Sequence, residues 1–223
     1  MKKSLLLLAA LLMVTMVSGA SALETGTTIF AIELGQGTAD LTNPVAASST
    51  PSYINGVSQP ELSGQLEIWH MFAEDYAFNI SGGVGFFSAK QEPNVVSAVN
   101  QEITNSHTSF RVRIGGDRVG QVGDRLTLFF GPGLEYFSGK AKAKSEGGGG
   151  PTVENESSNT TRIGISGRIG GMMKVSDNVS IVGRVGHNLG YATSSADNGN
   201  AKITWWPSSF DAAWGLAFGF GSQ

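Results

Sequence analysis

The sequence predicts an all-β chain, folded as an eight-stranded antiparallel up-and-down transmembrane β-barrel. Three observations support this fold class. Residues 209–220 alternate strictly between large apolar and small or polar residues, a period of two that only an extended strand converts into two faces. Seven earlier segments repeat the alternation. The connections between these eight segments alternate between long and short, as they do in outer-membrane barrels.

The final segment also predicts which face is the outer one. Phe210, Trp214 and Phe218 fall on one face, and Asp211 falls on the opposite face among alanines and glycines. A barrel strand in a membrane is apolar toward lipid and polar toward the lumen, over about 10 residues per crossing. A soluble barrel that binds a ligand inside would need its apolar face inward. The pattern therefore favours a membrane barrel.

The chain begins with a predicted secretory signal peptide at residues 1–22, and one barrel domain is expected at residues 23–223. Lys2 and Lys3 precede an apolar run over residues 5–17, and residues 20–22 read Ala-Ser-Ala, the small-x-small pattern of a cleavage site. The run is well short of the ~20 apolar residues that a membrane helix needs. We expect export through the cleaved signal and insertion as a closed barrel.

Composition excludes several classes of function. Lys and Arg number 15 against 18 Asp and Glu, a net charge of −3, so no nucleic-acid partner is expected. Cysteine is absent, which removes disulfides and thiol chemistry. The 31 glycines follow no collagen-like period and suit strands around a narrow interior. No cofactor, metal site or catalytic residue is predicted, and the protein is expected to be a monomer.

The first four strands are predicted at residues 27–35, 61–72, 76–86 and 110–115. In each strand every second residue is large and apolar, and the residues between are mostly small, polar or charged. The predicted outward residues are Phe30, Ile32, Leu34, Leu62, Leu66, Ile68, Phe78, Ile80, Val84, Phe110, Val112 and Ile114. The predicted inward residues include Glu33, Glu67, Trp69, Met71, Asn79, Ser81, Arg111 and Arg113.

The last four strands are predicted at residues 126–136, 163–173, 179–191 and 209–220. Their predicted outward residues include Leu126, Leu134, Tyr136, Ile163, Ile165, Ile169, Ile181, Val185 and Leu189, and their inward residues include Glu135, Arg168, Arg184 and Asp211. Pro132 lies inside the fifth strand. Because proline cannot donate to a strand ladder, it predicts a bulge or kink there.

Polar stretches at residues 40–60, 90–105, 140–159 and 192–207 are predicted to be long loops. Residues 73–75, 116–124 and 176–178 are predicted to be short connections. Outer-membrane barrels have short periplasmic turns and long outward loops. Aromatic residues fall at both ends of the strands and predict two interfacial girdles: Phe30, Phe72, Tyr76, Phe78, Phe218 and Phe220 toward the turns, and Phe86, Phe110, Tyr136, Tyr191 and Phe210 toward the loops.

This pattern resembles the small eight-stranded outer-membrane barrels, the group that contains OmpX and the transmembrane domain of OmpA. The resemblance covers the whole mature chain and concerns architecture. The C-terminal residues 215–220, Gly-Leu-Ala-Phe-Gly-Phe, are similar to the terminal strand signal that the barrel assembly machinery reads, with Phe218 and Phe220 at the aromatic positions. In the family the aromatic residue is commonly the last, whereas three residues follow here. The resemblance implies a bacterial outer-membrane location.

Acidic and basic residues balance on the predicted inward face: Glu33, Glu67, Glu135 and Asp211 against Arg111, Arg113, Arg168 and Arg184. The interior of an eight-stranded barrel is just wide enough to be filled by side chains, and charges there need partners. We therefore predict a plugged, salt-bridged lumen and a structural or surface-interaction role through the outer loops. The alternative, a small-solute channel of the OmpW type, would favour an excess of one sign of charge.

A second alternative is an outer-membrane enzyme that modifies lipids. Such a site needs a nucleophile, a base and an orienting group close together. His107 and Ser109 lie two residues apart on one strand face and are the only candidates, and a polar strand end near the outer surface is the simpler interpretation. His70 and His187 fall on the lipid-facing phase, where interfacial histidines are expected.

Lys140, Lys142 and Lys144 continue the outward phase of the fifth strand beyond the membrane. Lipopolysaccharide phosphates would lie at this level in a Gram-negative outer leaflet. The sequence therefore suggests a lipopolysaccharide contact, with a solvated strand extension as the alternative. Outer-membrane lipid and lipopolysaccharide are the expected partners, together with the assembly machinery during insertion.

Overall fold

The computed structural model of the protein describes residues 24–39, 59–91, 101–147, 153–195 and 202–220. The predicted signal peptide at residues 1–22 lies outside them. The strands are β1 (Thr28–Ala39), β2 (Gln59–Ala73), β3 (Tyr76–Gln91), β4 (Gln101–Val122), β5 (Leu126–Gly147), β6 (Val153–Ser176), β7 (Val179–Ser195), β8 (Lys202–Trp205) and β9 (Ser208–Phe220). No helix among the described residues is long and apolar enough to cross a membrane.

The strands close into one antiparallel barrel. Each of β1 to β7 pairs with the next strand in the chain, and β9 pairs with both β7 and β1. The short β8 pairs with β7 just beyond the end of β9, so β8 and β9 form one barrel strand that is interrupted at residues 206 and 207. The predicted eight-stranded up-and-down barrel is confirmed.

The predicted orientation of the two strand faces is also confirmed. Large apolar side chains cover the outside: Leu66 and Trp214, for example, are 63% and 66% exposed. Their neighbours along the chain point into the barrel, where Glu67 and Ala213 are buried. Both predicted girdles lie on the outer face, with exposed Phe72 and Phe220 toward the turns. A surface this apolar requires lipid around it.

Several strands are longer than predicted. β4 and β5 have 22 residues each and β6 has 24, whereas a crossing needs about 10. Much of the predicted loops at residues 90–105 and 140–159 is therefore strand that extends past the girdle at the loop end. Beyond the membrane neither face has to be apolar, so backbone pairing continues there without the alternation that identifies a strand in the sequence.

The predicted connection at residues 116–124 is also largely strand, because β4 continues to Val122 and the turn is confined to residues 123–125. The glycines and charged residues in this segment resemble a turn in composition. In the barrel they continue the inward phase of Arg113, so that Asp117 and Val119 are buried.

Pro132 does not produce a bulge. The register between β5 and β6 runs without a shift through the Pro132–Gly167 pair, and the β4–β5 pairing has the same register before and after it. The pairs between residues 116–117 and 131–132 are missing, as expected for a residue without an N–H group. Glycine at position 131 lets the two backbones approach closely there, since an added Cβ would strike the carbonyl oxygen of Gly116. The register shifts lie elsewhere, between Lys140 and Lys142 for example.

The interior is divided into levels. Next to the turns lies an apolar layer of buried side chains: Ile29, Ala31, Trp69, Met71, Ala77, Val119, Phe129, Met172, Val182 and Ala217. Buried charged and polar side chains fill the lumen from this layer toward the loop end. We call the first level the apolar layer and the remainder the polar section.

Candidate functional site: the charged lumen

Arg168 of β6 is the centre of the lowest cluster of charges. Its guanidinium group makes ion pairs with Glu67 of β2 and Asp117 of β4, and its Nε also donates to Asp117 Oδ1 over 3.2 Å. The arginine side chain is 1% exposed, and both carboxylates are fully buried. One cation therefore holds two acids from strands on other sides of the barrel.

The same cluster rests directly on the apolar layer. Asp117 accepts hydrogen bonds from Trp69 Nε1 at 3.0 Å and Asn79 Nδ2 at 2.9 Å. The Arg168 guanidinium lies 5.2 Å from the centre of the Trp69 ring and 5.3 Å from that of Phe129, within the range of a cation–π interaction. The two rings are 5.4 Å apart. The ion pairs of Arg168 and the rings of Trp69 and Phe129 thus lie at the same level of the lumen.

Arg184 of β7 forms a second cluster. Its Nε donates to Glu33 at 2.8 Å, its Nη1 to Asp211 at 2.5 Å and its Nη2 to Gln65 at 2.7 Å. These partners come from β1, β9 and β2. The guanidinium group therefore links the strands on either side of the barrel closure.

A third cluster lies nearer the loop end. Glu135 accepts from Arg162 at 2.7 Å and lies 3.7 Å from Arg111. Both guanidinium groups lie over the ring of Phe137, at 5.1 Å for Arg162 and 5.9 Å for Arg111. Arg162 Nη1 also donates to Ser209 Oγ at 2.9 Å. Two arginines therefore share one carboxylate.

The eight charged residues of the sequence-predicted network all lie on the inward phase of their strands. Seven of them form the ion pairs described above. Arg113 is the exception in this set, since the hydrogen bonds found for it go to neutral groups: Ser166 at 2.9 Å, Asn79, and the carbonyl of Gly131 at 3.4 Å.

Sequence reasoning missed two members of the network, Asp117 and Arg162. The sequence predicts a connection at Asp117, although this residue lies four residues after Arg113 and so shares its face. Arg162 lies one residue before the predicted sixth strand, on the phase of Arg168. Extending the alternation of the fourth and sixth strands past their apolar residues would have placed both residues on the inward face. With them, five acids face five arginines among the described lumen residues.

The sequence matches no protein-family model and no curated protein. Solved structures do match. The outer membrane protein OprG from Pseudomonas aeruginosa is 9% identical with a TM-score of 0.50, and the match covers 92% of this chain and all of OprG. Ail, the attachment invasion locus protein of Yersinia pestis, is 15% identical with a TM-score of 0.47, covering 88% of this chain and all of Ail. Neisserial surface protein A is 13% identical with a TM-score of 0.43, covering 88% and 98%.

This chain has the fold of the small outer-membrane barrels. At 9% identity the likeness to OprG concerns the fold and does not extend to side-chain roles. The site must therefore be interpreted from the residues of this barrel.

The serine and histidine considered for a lipid-modifying site do not lie on the outer surface. His107 and Ser109 are on the inward phase of β4, and His107 is buried with its ring stacked 6.2 Å from that of Phe137. Both residues alternate along β4 with the same phase as Arg111 and Arg113, and this phase places them on the inward face. A lipid chain on the outside of the barrel would not reach this imidazole.

The other two histidines lie on the outer face, as their phase predicts. His70 Nδ1 is 3.0 Å from Thr28 Oγ1 at the turn end, and His187 Nε2 is 2.8 Å from Ser208 Oγ. The His187 ring also packs 4.3 Å from the ring of Phe210. Each imidazole thus has a hydroxyl partner from a neighbouring strand, which lowers the cost of placing it beside lipid.

The three lysines suggested for lipopolysaccharide differ in their cross-strand neighbours. Lys140 is paired with Thr108 and Asn159, both neutral. The backbone register places Lys142 opposite Glu156 and Lys144 opposite Glu154. Directly opposite residues on an antiparallel pair share one face of the sheet. The pairing with β4 keeps one register through all three lysine positions, so they share the outward phase of β5.

Within the described part of the chain, no group of three or more His, Cys, Asp or Glu is arranged to hold a metal ion. The described charges of the lumen are arginines and carboxylates, and most of them form ion pairs.

Proposed function

We propose that this protein is an integral barrel of the bacterial outer membrane whose lumen is closed, and that it serves as a rigid scaffold for surface interaction at its loop end. The apolar outer face and the two aromatic girdles support the membrane location. The fold shared with OprG supports the same compartment.

The packing of two aromatic rings inside the barrel is the observation that supports a closed lumen. At the turn end, Trp69 and Phe129 pack against each other under Arg168, and both rings are at most 2% exposed. Met71 and Val182 are fully buried in the same layer. Large apolar rings that are buried in contact with each other leave no path for hydrated ions between them.

The loop end supports the role in surface interaction. β4, β5 and β6 extend well past the girdle and remain paired there, so the barrel holds a paired sheet outside the membrane. Rigid display of polar strands suits recognition, because little conformational freedom is lost on binding.

Planar-bilayer recording tests the closed lumen. The refolded protein should produce no steady single-channel current, because the apolar layer blocks hydrated ions. A gel of unboiled and boiled samples from the same preparation should show heat-modifiable migration, which reports the folded barrel. Large steady currents from a preparation that passes the gel test would contradict closure and favour the small-solute channel.

We also propose that Lys140, together with Lys142 and Lys144 further along β5, contacts lipopolysaccharide phosphate. It lies on the outward phase of β5, two residues beyond Ser138 and four beyond the girdle residue Tyr136. Attraction of a basic residue to an anionic membrane surface is worth about 1 kcal/mol, so Lys140→Gln should weaken binding of lipopolysaccharide micelles about fivefold.

Lys174→Gln is the matched control, because Lys174 is an exposed lysine at the turn end, the opposite end of the barrel. This variant should leave lipopolysaccharide binding unchanged. Isothermal titration of the refolded barrels with lipopolysaccharide gives both affinities. An equal loss in the two variants would refute the assignment to Lys140.

A further inference from the structure

Asn188 is the most anomalous polar side chain in the lumen. It lies on the inward face of β7 and is 2% exposed, yet neither its Oδ1 nor its Nδ2 has a hydrogen-bond partner among the described residues. A buried amide without hydrogen bonds costs several kcal/mol. Nearby on β6, the Nε of Arg162 is buried and also lacks a partner.

The surroundings of Asn188 are polar. Its direct neighbours across the strands are Ser166 on β6 and Ser209 on β9, and Ser209 already accepts from Arg162 Nη1. Glycine at position 164 makes room for the amide, since an added Cβ there would lie 2.8 Å from Asn188 Oδ1. The Asn188 amide, the hydroxyls of Ser166 and Ser209 and the Arg162 guanidinium group therefore form a small polar region of the lumen.

A second pair of buried oxygen atoms lies at the bottom of the polar section. Glu33 Oε1 and Glu67 Oε2 accept no hydrogen bond from the part of the chain that the structure describes, although the other oxygen of each carboxylate is bound by an arginine. The two glutamates are diagonal neighbours on β1 and β2, since Glu67 is paired with Ala31. They lie directly above Trp69 and the apolar layer.

Exposure of the charged lumen side chains decreases from the loop end down to the apolar layer. Arg111 and Asp211 retain 18% and 17% side-chain exposure, whereas Glu33 and Glu67 retain none. The charged side chains of the polar section are thus most accessible near the loops. Apolar side chains fill the lumen below them.

We propose that the polar section binds ordered water, held at Asn188 and Arg162 near the loops and at Glu33 and Glu67 at the bottom, and that this water is continuous only with the loop side. Buried water typically bonds two to four polar groups that would otherwise be unsatisfied. The permeability barrier is then the apolar layer, and the ion pairs neutralise the charges of the polar section above it. This inference rests on the closed lumen proposed above and locates its seal.

Single cysteines test this arrangement, because the chain has none of its own. The Asn188→Cys and Val182→Cys variants are a matched pair on the inward face of β7, one in the polar section and one in the apolar layer. Each refolded barrel is exposed to Ag⁺, a small thiol reagent that travels in water. The remaining thiols are then counted by maleimide labelling and mass spectrometry after unfolding.

We expect Ag⁺ to block the cysteine of the Asn188→Cys variant roughly a hundredfold faster, since reaching position 182 requires local opening of packed side chains. Equal protection at both positions would show a dry polar section and overturn the inference, while leaving the closed lumen intact. Rapid blocking at both positions would place the seal elsewhere and also overturn it. Bilayer recording of the wild type then shows whether closure itself has failed.

The Ser209→Cys variant, nearly isosteric, gives the same test should Asn188→Cys not refold. A second measurement is independent of reagent access. The Asn188→Leu variant should unfold at lower urea than the wild type, since it loses hydrogen bonds to bound water. A higher midpoint would mean that the amide had been dry and unsatisfied, and would overturn the inference.

Discussion

Among single residues, Arg168 contributes most to the order of the lumen. Among the described residues it is the one cation that joins two fully buried carboxylates and also lies against two aromatic rings. Glu67 is 101 positions away in the chain and Asp117 is 51 positions away. Removing one member of such a buried group costs more than its presence stabilises, because uncompensated charge remains.

Arg168→Met is therefore expected to destabilise the barrel by about 3–5 kcal/mol, since Glu67 and Asp117 stay buried without their cation. Urea titration of the micelle-bound protein, followed by tryptophan fluorescence, measures the loss. The triple variant Arg168→Met, Glu67→Gln, Asp117→Asn should recover most of it, because it leaves no charge behind. Equal stability of the single variant and the wild type would refute this account.

Lys174→Gln provides a control for the general effect of losing a cation. Lys174 pairs with Asp177 at 3.0 Å at the turn end, where both side chains are well exposed. Surface pairs contribute little, so the urea midpoint should hardly move.

At the scale of the strands, Gly215 shows how closely β9 approaches β1. A Cβ at this position would lie 2.7 Å from the Cα of Glu33 and would clash with the backbone carbonyl of Ile32. Small residues on the inward face of β9 thus allow the barrel to close at the β1–β9 pairing.

Gly215→Ala should therefore weaken closure of the barrel, with a loss of about 1–3 kcal/mol from overpacking. Gly183→Ala on β7 is the matched control, because nothing lies within 4 Å of a Cβ there. The folded fraction on unboiled gels at increasing urea compares the two variants. If both behave alike, close approach at Gly215 does not limit stability.

Strand identity could be predicted from the sequence, but strand length could not. All eight predicted segments are strands, since lipid outside and polar groups inside impose a strict alternation within the membrane. Outside the membrane this requirement ends. β5 and β6 continue through a segment predicted as loop, because backbone hydrogen bonds between adjacent strands need no particular side chains.

At the scale of the whole molecule, the apolar layer is the seal in the function that we propose, and the ion pairs neutralise the interior above it. This division predicts that ion flow depends on the aromatic rings at the seal.

The Trp69→Ala, Phe129→Ala double variant should admit small steady currents in planar bilayers, because removing both rings leaves space that water from either side can fill. Its folded state must first be confirmed by heat-modifiable migration, since each truncation costs about 3–5 kcal/mol. Trp214→Ala, which removes a ring from the lipid face, should stay silent. Absence of current from a folded double variant would count against a seal made by these rings.

Periodicity by itself determined the barrel class, the strand order of an up-and-down chain and the inward face of eight of the ten described lumen charges. These properties are local, because side chains alternate along any extended strand. Tertiary structure alone decided which charges meet: Arg184 binds Glu33 from 151 positions away, and Arg168 binds an aspartate that the sequence placed in a connection. Such partners depend on the register and closure of strands far apart in the chain, and alternation within one strand carries no information about either.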